Sequence, residues 1–397
     1  MEMKPGYKQT EMGVIPEDWR PSTIGAEADL LTGFPFPSDG FVPSGARLLR
    51  GSNVKRGELD WQDDITEYWP SITRDIQRYA LQDGDVVIAM DGALVGRSYG
   101  VVAQPDLPAL LVQRVARIRS KTTDLRLLGA WIGSESFVRH VNSVKTHTAI
   151  PHISPRDIRE FALPLPTDGK EQRAIAAALS DVGALLGGLD RLVAKKRDLK
   201  QAAMQQLLTG QTRLPGFSGA WEVKRLGEVL AICHGRSQRD VEAADGPYPI
   251  LATGGQIGTA TRPLYERPSV LIGRKGTINK PQYLDTPFWT VDTLFYSEMK
   301  DGNSARFFFY LFCTIDWMQF NEASGVPSLN ARTIEGIEID WPEPREQAAI
   351  AAVLSDMDAE LAALEARRDK TRDLKQAMMQ ELLTGRTRLV KPEAAHA

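Results

Sequence analysis

EQRAIAAALSDVGALLGGLDRLVAKKRDLKQAAMQQLLTGQTRL at 171–214 and EQAAIAAVLSDMDAELAALEARRDKTRDLKQAMMQELLTGRTRL at 346–389 are one segment written twice. The offset is 175 residues throughout, without a gap, and 28 of 44 positions are identical. Apolar residues recur at Ile175, Leu179, Val182, Leu186, Leu189 and Val193, and again at Ile350, Leu354, Met357, Leu361 and Leu364. Steps of four and three alternate, a period of roughly 3.5 that marks a helix–helix seam of the coiled-coil kind. The pattern weakens at Lys196 and Arg368, then resumes at Leu199, Leu207 and Leu208, and at Leu374, Leu382 and Leu383. Each run stops at a glycine, Gly210 or Gly385, as helix C-termini do. About 38 residues at about 1.5 Å each predict a rod of roughly 57 Å. On the helices alone, a helical hairpin or dimerisation rod is a sufficient reading.

The intervening stretches repeat faintly. IPHISPRDIREFALPLP (150–166) answers VPSLNARTIEGIEIDWP (326–342), pairing Pro151 with Pro327, Ile153 with Leu329, Arg156 with Arg332 and Ile158 with Ile334. Trp19, Ile24, Gly25 and Gly33 answer Trp221, Leu226, Gly227 and Gly235. DVVIAMDGALVG (85–96) resembles SVLIGRKGTINK (269–280), each a β-branched strand running into a glycine-bearing turn. The chain therefore reads as module, helix, module, helix, with a period too long for a solenoid. Antiparallel packing of the helices would put the modules at opposite ends about a pseudo-two-fold axis, with the chain's start near its end. TGQTRL (209–214) leads into the second module and TGRTRL (384–389) leads into none, as in a cyclic arrangement cut once.

Composition narrows the function. The 397 residues suit two or three domains, with 42% hydrophobic and 25% charged residues, ordinary for a soluble protein. No run of about 18 apolar residues predicts a membrane span, and MEMKPGYKQTEMG lacks a signal-peptide core. A cytoplasmic location is expected. Cys233 and Cys313 show no metal-ligand spacing and are expected to be small buried residues of a protein in a reducing compartment. The net charge of −3 counts against a dedicated nucleic-acid binder, so DNA contact must come from local patches.

With both helical signatures and both module lead-ins in order, the sequence resembles the specificity subunit of a type I restriction–modification system. The repeated EQ…I…LS…LKQ…LLTG…RL pattern, preceded by PLP (164–166) in the first copy and PEP (342–344) in the second, and IPEDW at 15–19 carry the likeness, over residues 5–390. The resemblance implies an α+β fold in which two globular α/β target-recognition domains are separated by two long antiparallel coiled-coil helices in a cyclic, pseudo-two-fold arrangement. The implied boundaries are 1–165, first recognition domain; 166–210, first helical spacer; 211–341, second recognition domain; 342–385, second spacer; and 386–397, tail. It implies a non-catalytic subunit that reads an asymmetric, bipartite site in double-stranded DNA, one half per module. Its partners would be two methyltransferase subunits and two motor–nuclease subunits. S-adenosylmethionine, ATP and Mg would sit on those partners and no cofactor on this chain. Two alternatives stay open: the recognition subunit of a simpler system with a fused methyltransferase–nuclease, or a coiled-coil adaptor that binds no DNA.

The residues agree on the absence of catalysis. GxxxxGK[ST], HExxH and an Asn/Asp-Pro-Pro-aromatic motif are missing, and KPQY (280–283) lacks two of its required residues. His140, His147, His152, His234 and His396 form no nucleophile or metal pattern. Base reading needs side chains that match base-edge donors and acceptors, on rigid loops. The first module offers Arg50, Asn53 and Lys55 in RGSNVKRG, Arg97 in DGALVGRSYG, and Lys145 and His147 in VKTHTAIPH. The second offers Arg236 and Gln238 in HGRSQRD, the turn ATGGQIGT, and Arg274, Lys275, Thr277, Asn279 and Lys280 in GRKGTINK. ASGVPSLN adds Ser328 and Asn330. Arg and Lys are expected mainly to hold phosphates. The segment 170–213 carries eight Lys or Arg against four Asp or Glu, while 345–388 carries eight of each. KKRDLK at 195–200 could therefore pass near a phosphate backbone, although a plain solvated face is the preferred reading.

Overall fold

A computed structural model describes residues 5–390. The last part of the expected tail, 391–397 with His396, lies outside the described residues. Two compact units divide the chain: one runs up to Gly188 and resumes at Arg368, and the other is Leu189–Arg367.

The first unit is built on a four-stranded antiparallel sheet in the order Asp29–Thr32, Val115–Arg119, Val86–Ala89, Tyr99–Val101. Val86–Ala89 is buried at every position, which is why VVIA reads as a continuous apolar run and not an alternation. A second sheet is ordered Glu67–Trp69, Ala46–Leu49, Ala109–Leu111, its last pair parallel. Trp19–Thr23 pairs with Ala162–Pro166 and ties the start of the module to its end. The helix Leu125–Ile132 is capped by the Asp124 side chain, which accepts from the Arg126 amide.

The second unit repeats this topology from a different sequence. Its four-stranded sheet is ordered Leu230–His234, Leu294–Met299, Ser269–Gly273, Gln282–Leu284. Its second sheet is ordered Gly255–Ala260, Tyr248–Ala252, Trp289–Thr290, again with a parallel last pair. Glu222–Arg225 pairs with Glu338–Trp341, and Ser304 caps the helix Ala305–Thr314. Matched glycines have matched reasons. A Cβ on Gly33 would lie 2.2 Å from the Val112 carbonyl oxygen, and one on Gly235 would lie 2.1 Å from that of Val291. Only glycine allows the backbone to pass there.

Both repeated segments are helices of 39 residues, Gly169–Leu207 and Pro344–Leu382. Within the first unit, the start of the first helix packs antiparallel on the end of the second: Ile175, Ala176 and Leu179 share a core with Leu382 and Leu383 and with Trp19, Leu163 and Leu165. Within the second unit, Ile350, Ala351 and Leu354 do the same with Leu207, Leu208, Leu226 and Ile339. The helix ends are therefore module core as much as seam. Leu189, Val193 and Leu361 are buried, whereas Val182, Leu186, Met357 and Leu364 are half-buried. Leu199 and Leu374, expected to resume the apolar pattern, are 47% and 53% exposed. The expectation of buried cysteines also fails: Cys313 is exposed and Cys233 half-buried. No helix among the described residues is long and apolar enough to cross a membrane.

Candidate nucleic-acid interface

Backbone hydrogen bonds gather the loops of the second unit at one end of its sheets. The Gly276 amide donates to Pro327 O (2.8 Å) and the Leu329 amide to Arg274 O (2.9 Å), so GRKGTINK and ASGVPSLN lie side by side. The Arg274 amide donates to Thr293 O, as does the Thr253 hydroxyl, which brings in the turn at 252–255. The Arg236 amide donates to Thr290 O and attaches HGRSQRD.

In that cluster Lys275, Thr277, Asn279 and Lys280 are exposed. Ile278 between them is buried, which anchors the loop and turns its polar neighbours outward. Arg274 is half-buried and paired with Asp292 at 2.5 Å. Arg236 is exposed, Gln238 and Ser328 are half-buried, and the Asn330 side chain caps the helix Ala331–Glu335 by accepting from Arg332 N. Capping occupies the Asn330 carbonyl oxygen, so base reading there would fall to the amide NH2.

The first unit uses the same frame. The Gly92 amide donates to Pro151 O (3.0 Å) and the Ile153 amide to Met90 O (2.9 Å), placing DGALVGRSYG beside VKTHTAIPH. The Tyr99 amide donates to Lys55 O, which joins RGSNVKRG to the group. Lys55 lies 3.4 Å from Asp60, Arg97 3.1 Å from Glu135, Lys145 is half-buried and His147 is exposed. Asn53 needs correction as a base reader. It is 0% exposed, its amide donates to the Asp60 and Ile65 carbonyls, and its oxygen accepts from Arg50 N. Arg50 is held by the Ile65 carbonyl at 2.7 Å. Both residues shape the loop and do not extend from it.

Gln113 and Arg114, exposed on the turn between two sheets that is equivalent to Asp292 and Thr293, were not among the expected residues. Arg114 has φ of 70° and lies 3.9 Å from Asp91. The available signal was a polar pair interrupting the apolar run LLVQRVARI. Lys196, Arg197 and Lys200 of KKRDLK are paired with Glu360, Glu365 and Asp358, which counts against the alternative of a phosphate contact there.

Two copies of one α+β module, each completed by parts of the same pair of helices, define a duplicated two-module protein. The chain belongs to the family of the type I restriction modification DNA specificity domain, whose profile matches residues 47–190 and 219–371. It is 30% identical over 166 residues to the type I restriction enzyme EcoAI specificity subunit of Escherichia coli, across 41% of this chain and 28% of that protein. It is 28% identical over 222 residues to the MjaVIII specificity subunit of Methanocaldococcus jannaschii, across 53% of this chain and 50% of that one. The chain thus matches half or less of the length of these curated relatives. Among solved structures, the type I restriction–modification S subunit from M. genitalium superposes with a TM-score of 0.67 at 17% identity, covering 96% of this chain and 99% of that one. A chain from a structure addressing complex assembly and conformational transition of the type I R-M system gives 0.53 at 18%, covering 94% and 99%. These two likenesses show the fold.

Proposed function

We propose that this chain reads a bipartite, asymmetric DNA site without performing catalysis, one half-site per module, with the repeated helices setting the unread spacer. One observation carries the reading. The two modules place different chemistry on equivalent backbone positions: Asp91 against Lys275, Ala93 against Thr277, and Arg114 against Thr293. A shared frame with exchanged donors and acceptors is what two different half-sites require.

Two methyltransferase subunits would dock on the copied helical surface, where Leu199 and Leu374 stand exposed at matching positions, and two motor–nuclease subunits would complete the assembly. S-adenosylmethionine, ATP and Mg would reside on those partners, and each target adenine would be flipped out of the duplex for methylation. Long-read sequencing of methylated host DNA tests this reading. The expected result is one modified motif of two unlike halves, and replacing 20–165 by a homologous module should change one half alone. A change in both halves, or in neither, rejects the modular assignment. A one-to-one complex at saturating methyltransferase rejects two equivalent docking faces.

A further inference from the structure

The two units treat one half-buried lysine differently. In the second unit Lys200 pairs with the Asp358 carboxylate, which also accepts from the Tyr310 hydroxyl at 2.7 Å, and the Lys200 ammonium lies 5.3 Å from the Tyr310 ring. Shifting by the repeat offset, Lys200 becomes Lys375 and Asp358 becomes Gly183. On the helix that follows each Asp124 or Ser304 cap, the place of Tyr310 is taken by Ala130. The first unit thus keeps the cation and has lost every group that neutralised it. A Cβ on Gly183 would lie 3.2 Å from the Lys375 ammonium, so the missing carboxylate would have reached it. Lys375 has no hydrogen-bond or ion-pair partner among the described residues, and burial lowers its pKa.

Lys375 also lines a cavity of about 590 Å³ within the first unit. Arg56, Arg97, Arg139, Arg372, Lys375 and Arg386 line it, and Glu135 is the one carboxylate among its lining residues. Glu135 is held by Arg97, Arg372 by Asp369 and Arg386 by Glu381 at 3.9 Å, which leaves Lys375, Arg139 and Arg56, exposed in the loop that carries Lys55, without a carboxylate partner among the described residues. A cavity with this excess of guanidinium and ammonium groups suits a dianion with several acceptor oxygens better than a single carboxylate.

We infer that this cavity is a phosphate site centred on Lys375, present in the first unit and abolished in the second by Asp358. The phosphate belongs either to the DNA backbone, since Arg56 and Arg97 sit in the candidate reading loops, or to a free phosphate compound.

The test uses the full chain, Gly183→Asp, which restores the counterion of the second unit, and Lys375→Met, which removes a half-buried, unpaired charge and so preserves folding. Each is titrated with inorganic pyrophosphate by calorimetry and with a random-sequence duplex by fluorescence anisotropy at several salt concentrations. Both variants should weaken at least one probe by about tenfold or more, the loss expected for a charge-assisted contact. Lys200→Met, at the equivalent but neutralised position, should weaken neither. Loss confined to pyrophosphate identifies a free phosphate ligand. Loss confined to the duplex, with the logarithmic salt slope falling by about 0.9 per phosphate released, identifies the DNA backbone. Unchanged affinity for both probes, in variants that unfold like the parent, overturns the inference. Duplex binding absent from the parent chain while pyrophosphate binding persists would reject the DNA-reading proposal and leave this one standing.

Discussion

Arg388 donates from Nε and Nη2 to the two carboxylate oxygens of Glu171, at 2.6 and 2.8 Å, across 217 positions of sequence. The Trp19 indole donates to the same carboxylate at 3.1 Å. In the second unit Arg213 and Trp221 close on Glu346 with the same geometry, at 2.6, 2.6 and 3.0 Å. The TRL after each helix thus clamps the start of the other helix and the first tryptophan of a module. The C-terminal segment completes the first unit as TGQTRL completes the second.

Because Glu171 is 1% exposed, Arg388→Leu leaves a buried carboxylate without its cation. The expected loss is about 3–5 kcal/mol, read as a lower denaturant midpoint. Adding Glu171→Gln should recover part of it, since no unpaired charge then remains buried. A midpoint unchanged in Arg388→Leu would show that the clamp contributes nothing.

Glu27 makes the first unit acid-sensitive. Burial pushes its carboxyl up, but bonds from Arg20, Ser22 and Thr123 outweigh burial and hold it at about 2, against an ordinary 4.5. A depressed carboxylate stabilises above its unfolded pKa, and that stability is lost as pH falls from 4.5 towards 2. The contribution is at most about 3 kcal/mol, and less in practice because Arg20 is partly exposed. Glu27→Gln should flatten the pH dependence of the denaturant midpoint across that window. The equivalent position of the second unit is the buried Val229, so Val229→Ala should leave the slope unchanged.

Gly235→Ala should disable the second module, because the new methyl would stand 2.1 Å from the Val291 oxygen. A cost of about 3 kcal/mol is expected for such overpacking, with loss of one half of the methylated motif. Gly188→Ala, in a helix away from the reading loops and with nothing within 4 Å, is the control and should keep both halves.

Lys275 and Asn279 should separate positioning from reading. Lys275→Ala should weaken binding on all sequences alike and reduce the salt slope by about 1. Asn279→Ala should relax one base position, at about 1–3 kcal/mol of discrimination. Equal losses on cognate and random duplex for Asn279→Ala would assign it to the backbone.

The helix ends are unsuitable for testing the spacer, since Met204, Leu207 and Leu208 are core residues. Four residues inserted in both helices, between Gly188 and Leu189 and between Arg367 and Arg368, avoid the cores. Each insert adds about 6 Å, worth one or two base pairs at about 3.4 Å each. The methylated motif should keep its two halves and lengthen its gap. Active variants with the old gap would assign spacing to the partner subunits.

The duplication, the two long helices and the matched glycine and proline positions were legible in sequence, because local helix periodicity and backbone exclusion leave their mark residue by residue. Asp85–Gly96 and Ser269–Lys280 align in the strand register as their sequences suggested, through Ala89 and Gly273. What a side chain does once it is placed was not legible. Asn53 and Lys275 look equally suited to DNA in a string of letters, yet one is sealed under its own loop and the other stands clear of it. KKRDLK could have been phosphate-facing by its letters, yet three of its four cations, Lys196, Arg197 and Lys200, are neutralised from 158 to 168 positions away. Periodicity is a property of neighbours in sequence. Desolvation and charge pairing depend on neighbours in space, and only the folded chain decided which lysine of the two copies would keep a counterion.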